Sequence, residues 1–288
     1  KIFIMLITNL INLYVKKFNA AGINNSLEEI RLMIQETLKI DLATQLIEKE
    51  LIINEKQKKL IKECLDRRLK REPFDRILNK KIFRDFELDI NSDTFSPRKE
   101  TELLIDIIID MKLNPKHILE LGTGSGAISI ALMKNFPKAK CIATDINLKS
   151  LELAKHNSKK NNVLDQINFI CCNWLDIFVN FDFDIILANP PYIKTEVIKK
   201  LDPEVRCYDP IISLDGGENG VDCYRKIILG LDQKQFSKNS KILFEIGYDQ
   251  AQKVEKLMKE ANIMQTSVFK DYSNQPRFVI GTITKSTS

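Results

Sequence analysis

Apolar side chains recur every three or four positions through the first quarter of the chain. From about residue 97 onward, short continuous apolar runs alternate with amphipathic stretches instead. The first pattern predicts helices, and the second predicts buried strands joined by crossover helices. Between about residues 5 and 72 no Pro precedes Pro73 and no Gly follows Gly22, so nothing interrupts helix there. Ser26 and Glu29 have the Ser-x-x-Glu spacing of a capping box, and Leu27, Ile30, Ile34 and Leu38 then share one face. Ile47, Leu51 and Ile52 predict a second helical stripe, and Leu60, Ile61, Cys64 and Leu65 a third. Arg67, Arg68, Lys70 and Arg71 read as a solvated, basic helix end that suits the helix dipole. Ile82, Phe83, Phe86, Leu88 and Ile90 predict a short strand pair before the pattern changes.

In the second regime, residues 103–111, 128–133 and 148–157 read as helices. Residues 118–121, 141–144, 167–171 and 183–188 read as strands. Such βαβ wiring produces a mostly parallel sheet. A helix at 221–236, a strand at 242–246 and a helix at 250–261 continue it, and strands at 266–269 and 277–282 predict an antiparallel pair with one reversed edge. The expected domains are a helical domain at 1–73, a β-hairpin connector at 74–95 and an α/β domain at 96–288.

Composition narrows this picture. With 288 residues, 44% hydrophobic and 29% charged, the chain fits one large or two unequal globular domains and excludes disorder as its main character. The excess of 44 Lys and Arg over 39 Asp and Glu gives +5, which permits nucleic acid without demanding it. Because Lys, Ile and Asn are abundant throughout, the charge forms no concentrated stripe, and no stable nucleic-acid partner is expected. Cys64, Cys141, Cys171, Cys172, Cys207 and Cys223 contain no CxxC pair, so the expectation is a reducing, cytoplasmic setting without a metal site or disulfide framework. His117 and His156 are the only histidines, which leaves little material for a His-dependent hydrolase. The apolar run at 2–14 is shorter than the roughly 20 residues a membrane span needs. Lys16-Lys17 ahead of Ala20-Ala21 is the wrong order for a secretion signal. The chain opens on Lys1, so Met5 is a candidate natural start, or the sequence is cut from something longer.

The chemistry concentrates at two strand ends. Ile118-Leu119-Glu120-Leu121 runs into Gly122-Thr123-Gly124-Ser125-Gly126, a turn that lets the backbone approach a ligand closely. Asp145 stands about 20 residues on, at the end of the next strand, where a carboxylate accepts from both ribose hydroxyls; its alternative role is capping the helix that follows. The spacing is not the G-x-G-x-x-G of dinucleotide folds, and Glu120 sets a negative charge beside the turn. That disfavours phosphate and suits a cationic ligand, so S-adenosylmethionine fits better than NAD. Asn173 and Trp174 follow the third strand, with Trp174 read either as an adenine-stacking ring or as a core cover, and Asn173 as a partner for the adenine edge.

At the end of the fourth strand stands Asn189-Pro190-Pro191-Tyr192. The two prolines lack amide hydrogens and have fixed φ, so the Pro190 carbonyl is held stiffly beside the Asn189 side-chain oxygen. Two acceptors so placed suit the two hydrogens of a planar NH2 group, with the Tyr192 ring flat against it. An amide or base-edge nitrogen is a poor nucleophile, so its methylation is chiefly a matter of positioning, and scarce histidine is consistent with that. The catalytic set is therefore Asn189, Pro190 and Tyr192, with Pro191 added for substrate binding. N6-adenine or related methylation of DNA or RNA is the alternative use of the same loop.

The chain resembles the bacterial release factor glutamine methyltransferases, the HemK or PrmC family of protein-(glutamine-N5) methyltransferases. Besides the motifs above, the resemblance includes Glu72-Pro73, Pro97-Arg98-Lys99-Glu100-Thr101-Glu102, Leu201-Asp202-Pro203-Glu204-Val205, Leu214-Asp215-Gly216-Gly217-Glu218-Asn219-Gly220 and Phe244-Glu245-Ile246-Gly247. It implies a seven-stranded, Rossmann-like class I methyltransferase domain behind a helical substrate-docking domain. It also implies S-adenosylmethionine against Gly122 to Gly126, Asp145, Trp174 and Asn189, and a substrate glutamine in the Gly-Gly-Gln tip of class 1 peptide-chain release factors. Asn173 stands where members often carry Asp, and Lys99 where they often carry Pro.

Overall fold

The computed structural model describes residues 5–178, 182–233 and 239–284. It divides into two compact units, Lys1–Lys80 with Pro203–Tyr208, and Lys81–Asp202 with Asp209–Ser288.

The first unit runs β1 (Met5–Leu6), α1 (Ile7–Ala20), α2 (Ser26–Leu38), α3 (Leu42–Ile47), β2 (Ile52–Ile53), α4 (Glu55–Leu69) and α5 (Phe74–Leu78). Leu10, Tyr14 and Phe18 of α1, Ile30 and Ile34 of α2, and Ile61 and Leu65 of α4 are buried together, at the three- and four-residue spacing of one helix face. Each such burial contributes roughly 1.5–3 kcal/mol.

Three local expectations fail here. Ser26 does not cap α2. Asn25 holds the cap position in the left-handed region (φ 54), Ser26 Oγ lies 2.7 Å from both Asn19 Oδ1 and the Ile23 carbonyl, and Glu29 pairs with Arg68. A capping box forms instead at α4, where Asn54 Oδ1 accepts from the Gln57 amide at 2.9 Å and Gln57 Oε1 from the Asn54 amide at 3.0 Å. Nor do Ile47, Leu51 and Ile52 make a helical stripe. Helix α3 ends at Ile47, which is 78% exposed, and Ile52 pairs with Leu6 across β1 and β2, a contact no local period encodes. The basic run is not a solvated helix end: Arg67 grips Glu72, Arg68 is buried between Glu29 and Glu204, and Arg71 reaches the carbonyls of Ala21 and Gly22. Buried guanidinium groups need counter-charges, and distant carboxylates supply them.

The second unit begins with the hairpin β3 (Lys80–Phe83) and β4 (Phe86–Asp89). It continues through α6 (Glu102–Asp110), β5 (His117–Leu121), α7 (Ala127–Asn135), β6 (Lys140–Asp145), α8 (Leu148–Lys160), β7 (Ile167–Cys171), β8 (Ile185–Ala188) and α9 (Thr195–Ile198). After α10 (Pro203–Arg206), which belongs to the first unit, come α11 (Asp222–Gln233), β9 (Lys241–Glu245), α12 (Ala251–Glu260), β10 (Ile263–Lys270) and β11 (Pro276–Ile283). Phe236, the expected end of α11, lies outside the described residues.

The sheet order is β10-β11-β9-β8-β5-β6-β7, with β5 to β9 parallel and β11 antiparallel to both its neighbours. The reversed strand is therefore β11, one place in from the edge, and β10 forms the edge itself. Burial explains the swap: β11 is buried from Phe278 to Ile283, whereas β10 is largely exposed after Ile263. Successive residues alternate between two cores. Ile118, Ile185 and Leu187 pack with α6 and α7 on one face, while Leu119, Leu121, Ile186 and Ala188 pack with α11 and α12 on the other. Among the described residues no helix is long and apolar enough to cross a membrane.

Candidate active site

Strand register assembles the site. In the parallel pairs Leu121 lies opposite Ala188 and Thr144, Asp145 opposite Cys171, and Ala188 opposite Phe244. Adjacent strands are about 4.8 Å apart. Residues far apart in sequence therefore line the carboxyl edge of the sheet in one row: Asn173 and Trp174 after β7, Asp145 at β6, Gly122 after β5, Asn189 after β8 and Glu245 at β9. The chain leaves β5 toward β6 on one side and returns on the other as β8, so the row straddles the switch point where doubly wound sheets bind ligands.

The glycine turn is anchored at its base, where the Gly122 and Thr123 amides both donate to the Thr144 carbonyl at 2.8 Å. Gly124 has φ +55, and a Cβ there would meet nothing within 4 Å. The turn thus opens onto free space at this point, and the glycine is required by conformation rather than by crowding. Asp145 Oδ2 accepts from the Gly124 amide and Oδ1 from the Asn147 amide, each at 2.9 Å. Burial pushes this carboxyl up, against its backbone hydrogen bonds. The cap of α8 is Asn147, whose Oδ1 accepts from Lys149 at 3.0 Å, so Asp145 is not a helix cap.

Glu120 is buried, and burial pushes its carboxyl up to about 7 despite bonds from Thr123 Oγ1 (2.7 Å) and the Ser129 amide (3.0 Å). Thr123 and Ser125 are buried as well, the first spending its hydroxyl on Glu120 and the second offering its carbonyl to Asn157. The Thr123 side chain is thus committed to the protein. The Asn173 side chain is exposed. The Trp174 ring lies against Gly122, 3.4 Å from where its Cβ would stand, and also packs on the core below. The core-covering reading of Trp174 is the one these contacts describe.

At the fourth strand end Pro190 is buried while Asn189, Pro191 and Tyr192 are half-buried. Asn189 Nδ2 lies 3.5 Å from Thr101 Oγ1 and bonds Glu245, whose Oε2 accepts from Thr101 Oγ1 at 2.7 Å. Among the described residues no group donates to the Pro190 carbonyl or to Asn189 Oδ1. The loop behind them is clamped from below: Gln250 Nε2 donates to the carbonyls of Tyr192 (2.8 Å) and Gly220 (2.9 Å), and Gln250 Oε1 accepts from the Gly247 amide at 2.9 Å. Gly220 has φ +70, and a Cβ there would fall 2.6 Å from the Tyr192 carbonyl, so only glycine lets this segment close on the loop. Burial, then Glu245, push the Tyr192 hydroxyl above its ordinary value, against Arg277 and Arg98.

Thr101, Glu245, Gln250 and Arg277 were not singled out by sequence reasoning. Glu245 carried a signal, since a carboxylate ending the apolar strand Lys241–Glu245 at the ligand edge is out of place in packing terms. Gln250 carried none.

Two family models match, the PrmC N-terminal domain over residues 9–78 and the methyltransferase small domain over residues 94–201. A release factor glutamine methyltransferase of Agrobacterium fabrum is 33% identical over 91% of this chain and 92% of its own, and one of Thermodesulfovibrio yellowstonii is 34% identical over 88% and 92%. The chain belongs to the release factor glutamine methyltransferase family. This chain also matches a bifunctional methyltransferase of Rickettsia bellii, at 32% identity over 91% of this chain but 52% of that protein's length. The catalytic domain of hMettl16, solved with a MAT2A 3′UTR hairpin, aligns with a TM-score of 0.59 at 12% identity over 90% of this chain and 91% of its own, which shows a shared fold.

Membership makes the chain a methyltransferase with S-adenosylmethionine as methyl donor. The residues fit that cofactor. Gly124 opens to space at the turn, and the Asp145 carboxylate stands beside it, its Oδ2 accepting from the Gly124 amide.

Proposed function

We propose that this enzyme methylates the side-chain amide nitrogen of the glutamine in the Gly-Gly-Gln tip of class 1 peptide-chain release factors. The observation that carries the reading is the Leu121–Ala188 pairing, which sets the glycine turn and Asn189 side by side at the sheet edge. Gly122 to Gly126, Asp145 and Trp174 would hold the cofactor, with Asn173 at its adenine edge. S-adenosylmethionine supplies a methyl made electrophilic by its sulfonium. Asn189 Oδ1 and the Pro190 carbonyl accept the two amide hydrogens and turn the nitrogen lone pair toward the methyl, while Pro191 and Tyr192 restrict the amide plane. As the N–C bond formed, the sulfonium S–C bond would break with its electron pair going to sulfur as a neutral thioether; the nitrogen would become cationic and acidic and its proton would leave toward these acceptors or water, so no strong base is required.

Residues 1–73 would dock the release factor. Support comes from the apolar side chains that α3 and its exit leave exposed, Leu42, Leu46, Ile47 and Ile52.

Mass spectrometry of a release factor incubated with cofactor and enzyme tests the reaction. One methyl on the motif glutamine is expected, and its loss in Asn189→Ala with melting temperature intact. Normal methylation by Asn189→Ala overturns the role of the loop; label appearing in RNA or DNA and not in the release factor overturns the substrate.

A further inference from the structure

The Asn189 carboxamide has two faces of nearly equal shape, one accepting and one donating, and only one of them serves an NH2 substrate. Thr101, just ahead of α6, and Glu245, ending β9, are both about 2% exposed and meet on the protein side of Asn189. The Thr101 hydroxyl spends its single hydrogen on Glu245 Oε2 at 2.7 Å, which leaves Thr101 Oγ1 only lone pairs to offer. An ionised carboxylate has no hydrogen at all. Asn189 therefore faces two acceptors, and only its NH2 satisfies them, Nδ2 lying 3.5 Å from Thr101 Oγ1. The flipped amide would oppose oxygen to oxygen and leave buried acceptors unpaired.

We propose that Thr101 and Glu245 are positioning residues that lock the Asn189 amide with Oδ1 toward the substrate, and so select a primary amide or amine NH2 as the methyl acceptor. This rests on the function proposed above. The lock makes Asn189 Oδ1 and the Pro190 carbonyl a matched pair of acceptors; the flipped amide would present NH2 to NH2. The lock depends on Glu245 being ionised, and the groups facing it are Arg277 from β11, Glu100 ahead of α6, and the hydroxyls of Thr101 and Tyr192, with Tyr224 of α11 bonded to its carbonyl. Burial pushes the Glu245 carboxyl up to about 7, so acidification through that range adds a donor and releases the lock.

The test reads the amide directly in the full-length protein. In ¹⁵N-labelled enzyme without cofactor or substrate, the Asn189 side-chain NH2 signals, assigned by their absence in Asn189→Ala, should exchange slowly with solvent. They should shift as the pH falls through about 7. Thr101→Val and Glu245→Gln should speed that exchange and lower kcat by about 10- to 100-fold, with cofactor affinity measured by calorimetry unchanged and Thr101→Ser restoring both amide protection and kcat. Exchange in Thr101→Val equal to that of the wild type overturns the proposal, whatever the activity. If Glu245→Gln does not fold, the Thr101→Val and Thr101→Ser comparison decides alone. A wild type with a protected Asn189 amide that leaves release factor unmethylated sustains the lock and removes the substrate assignment instead.

Discussion

The Gln250 side chain makes three hydrogen bonds to backbone groups, two to carbonyls and one from an amide, that hold the Pro-Pro-Tyr loop and the segments packed behind it, and also accepts from the Tyr224 hydroxyl at 3.5 Å. Its replacement by Leu keeps the volume and removes the bonds. The orphaned groups are buried, so Gln250→Leu should lower stability by about 1–3 kcal/mol in urea titration, with kcat falling further than cofactor affinity as Tyr192 loosens. Glu120 shows the opposite economy. Its carboxyl is buried with two donors on one oxygen, and an amide oxygen would accept both equally well. These are roles a residue acquires from its neighbours. Asn189 and Asp145 stood out in the sequence because their chemistry is unusual at a strand end, whereas nothing about Gln250 distinguishes it from a surface glutamine until the fold surrounds it.

At the scale of elements, the end of α4 is held by charge. Arg68 is buried between Glu29 of α2 and Glu204, and Arg71 adds a second contact to Glu204 at 2.7 Å. Arg68→Leu strands Glu29 and leaves Glu204 to Arg71 alone, and should cost about 3 kcal/mol in thermal or urea unfolding. Burial alone would raise the Glu204 carboxyl, but its backbone hydrogen bond and those from Arg71 and Arg68 outweigh this and hold it below its ordinary 4.5. A depressed carboxylate stabilises above its unfolded value and loses that contribution as the pH falls through the folded one. The stability gap between the wild type and Glu204→Gln should therefore be open at pH 6 and narrow as the pH falls below the ordinary 4.5. Helix α3 makes a different kind of statement, since Leu46 and Ile47 are 49% and 78% exposed. Leu46→Ser with Ile47→Ser should raise KM for intact release factor while leaving kcat and folding stability unchanged; an unchanged KM would remove these residues from the docking surface.

Across the whole molecule, the row of strand ends gathers several carboxylates, and burial lifts two of them, Glu120 and Glu245, to about 7. A raised acid is fully accommodated below its unfolded value and becomes a burden as the pH rises through its folded one. Glu120→Gln should therefore gain stability relative to the wild type between about pH 5 and pH 8, on the order of 2 kcal/mol, read as the difference in unfolding free energy at each pH. A gap that stays flat over this range would mean that Glu120 is already ionised at pH 5. Much of the architecture was legible in local pattern. Continuous apolar runs marked the strands, glycines and prolines marked the turns at their ends, and Asp145 and Asn189 marked two strand ends at the carboxyl edge of the sheet. What local pattern left open was every relation across distance. The tiny β1–β2 pair, the inward course of Arg68, the place of the reversed strand, and the Thr101–Glu245–Asn189 contact all join residues far apart in sequence. Such contacts are set by strand register and by the search of buried polar groups for partners, which exist only once the sheet has closed. The amino-acid order alone thus determined which chemistry the chain carries and at which strand ends; the tertiary structure decided which of those groups face one another, and which way the Asn189 amide points.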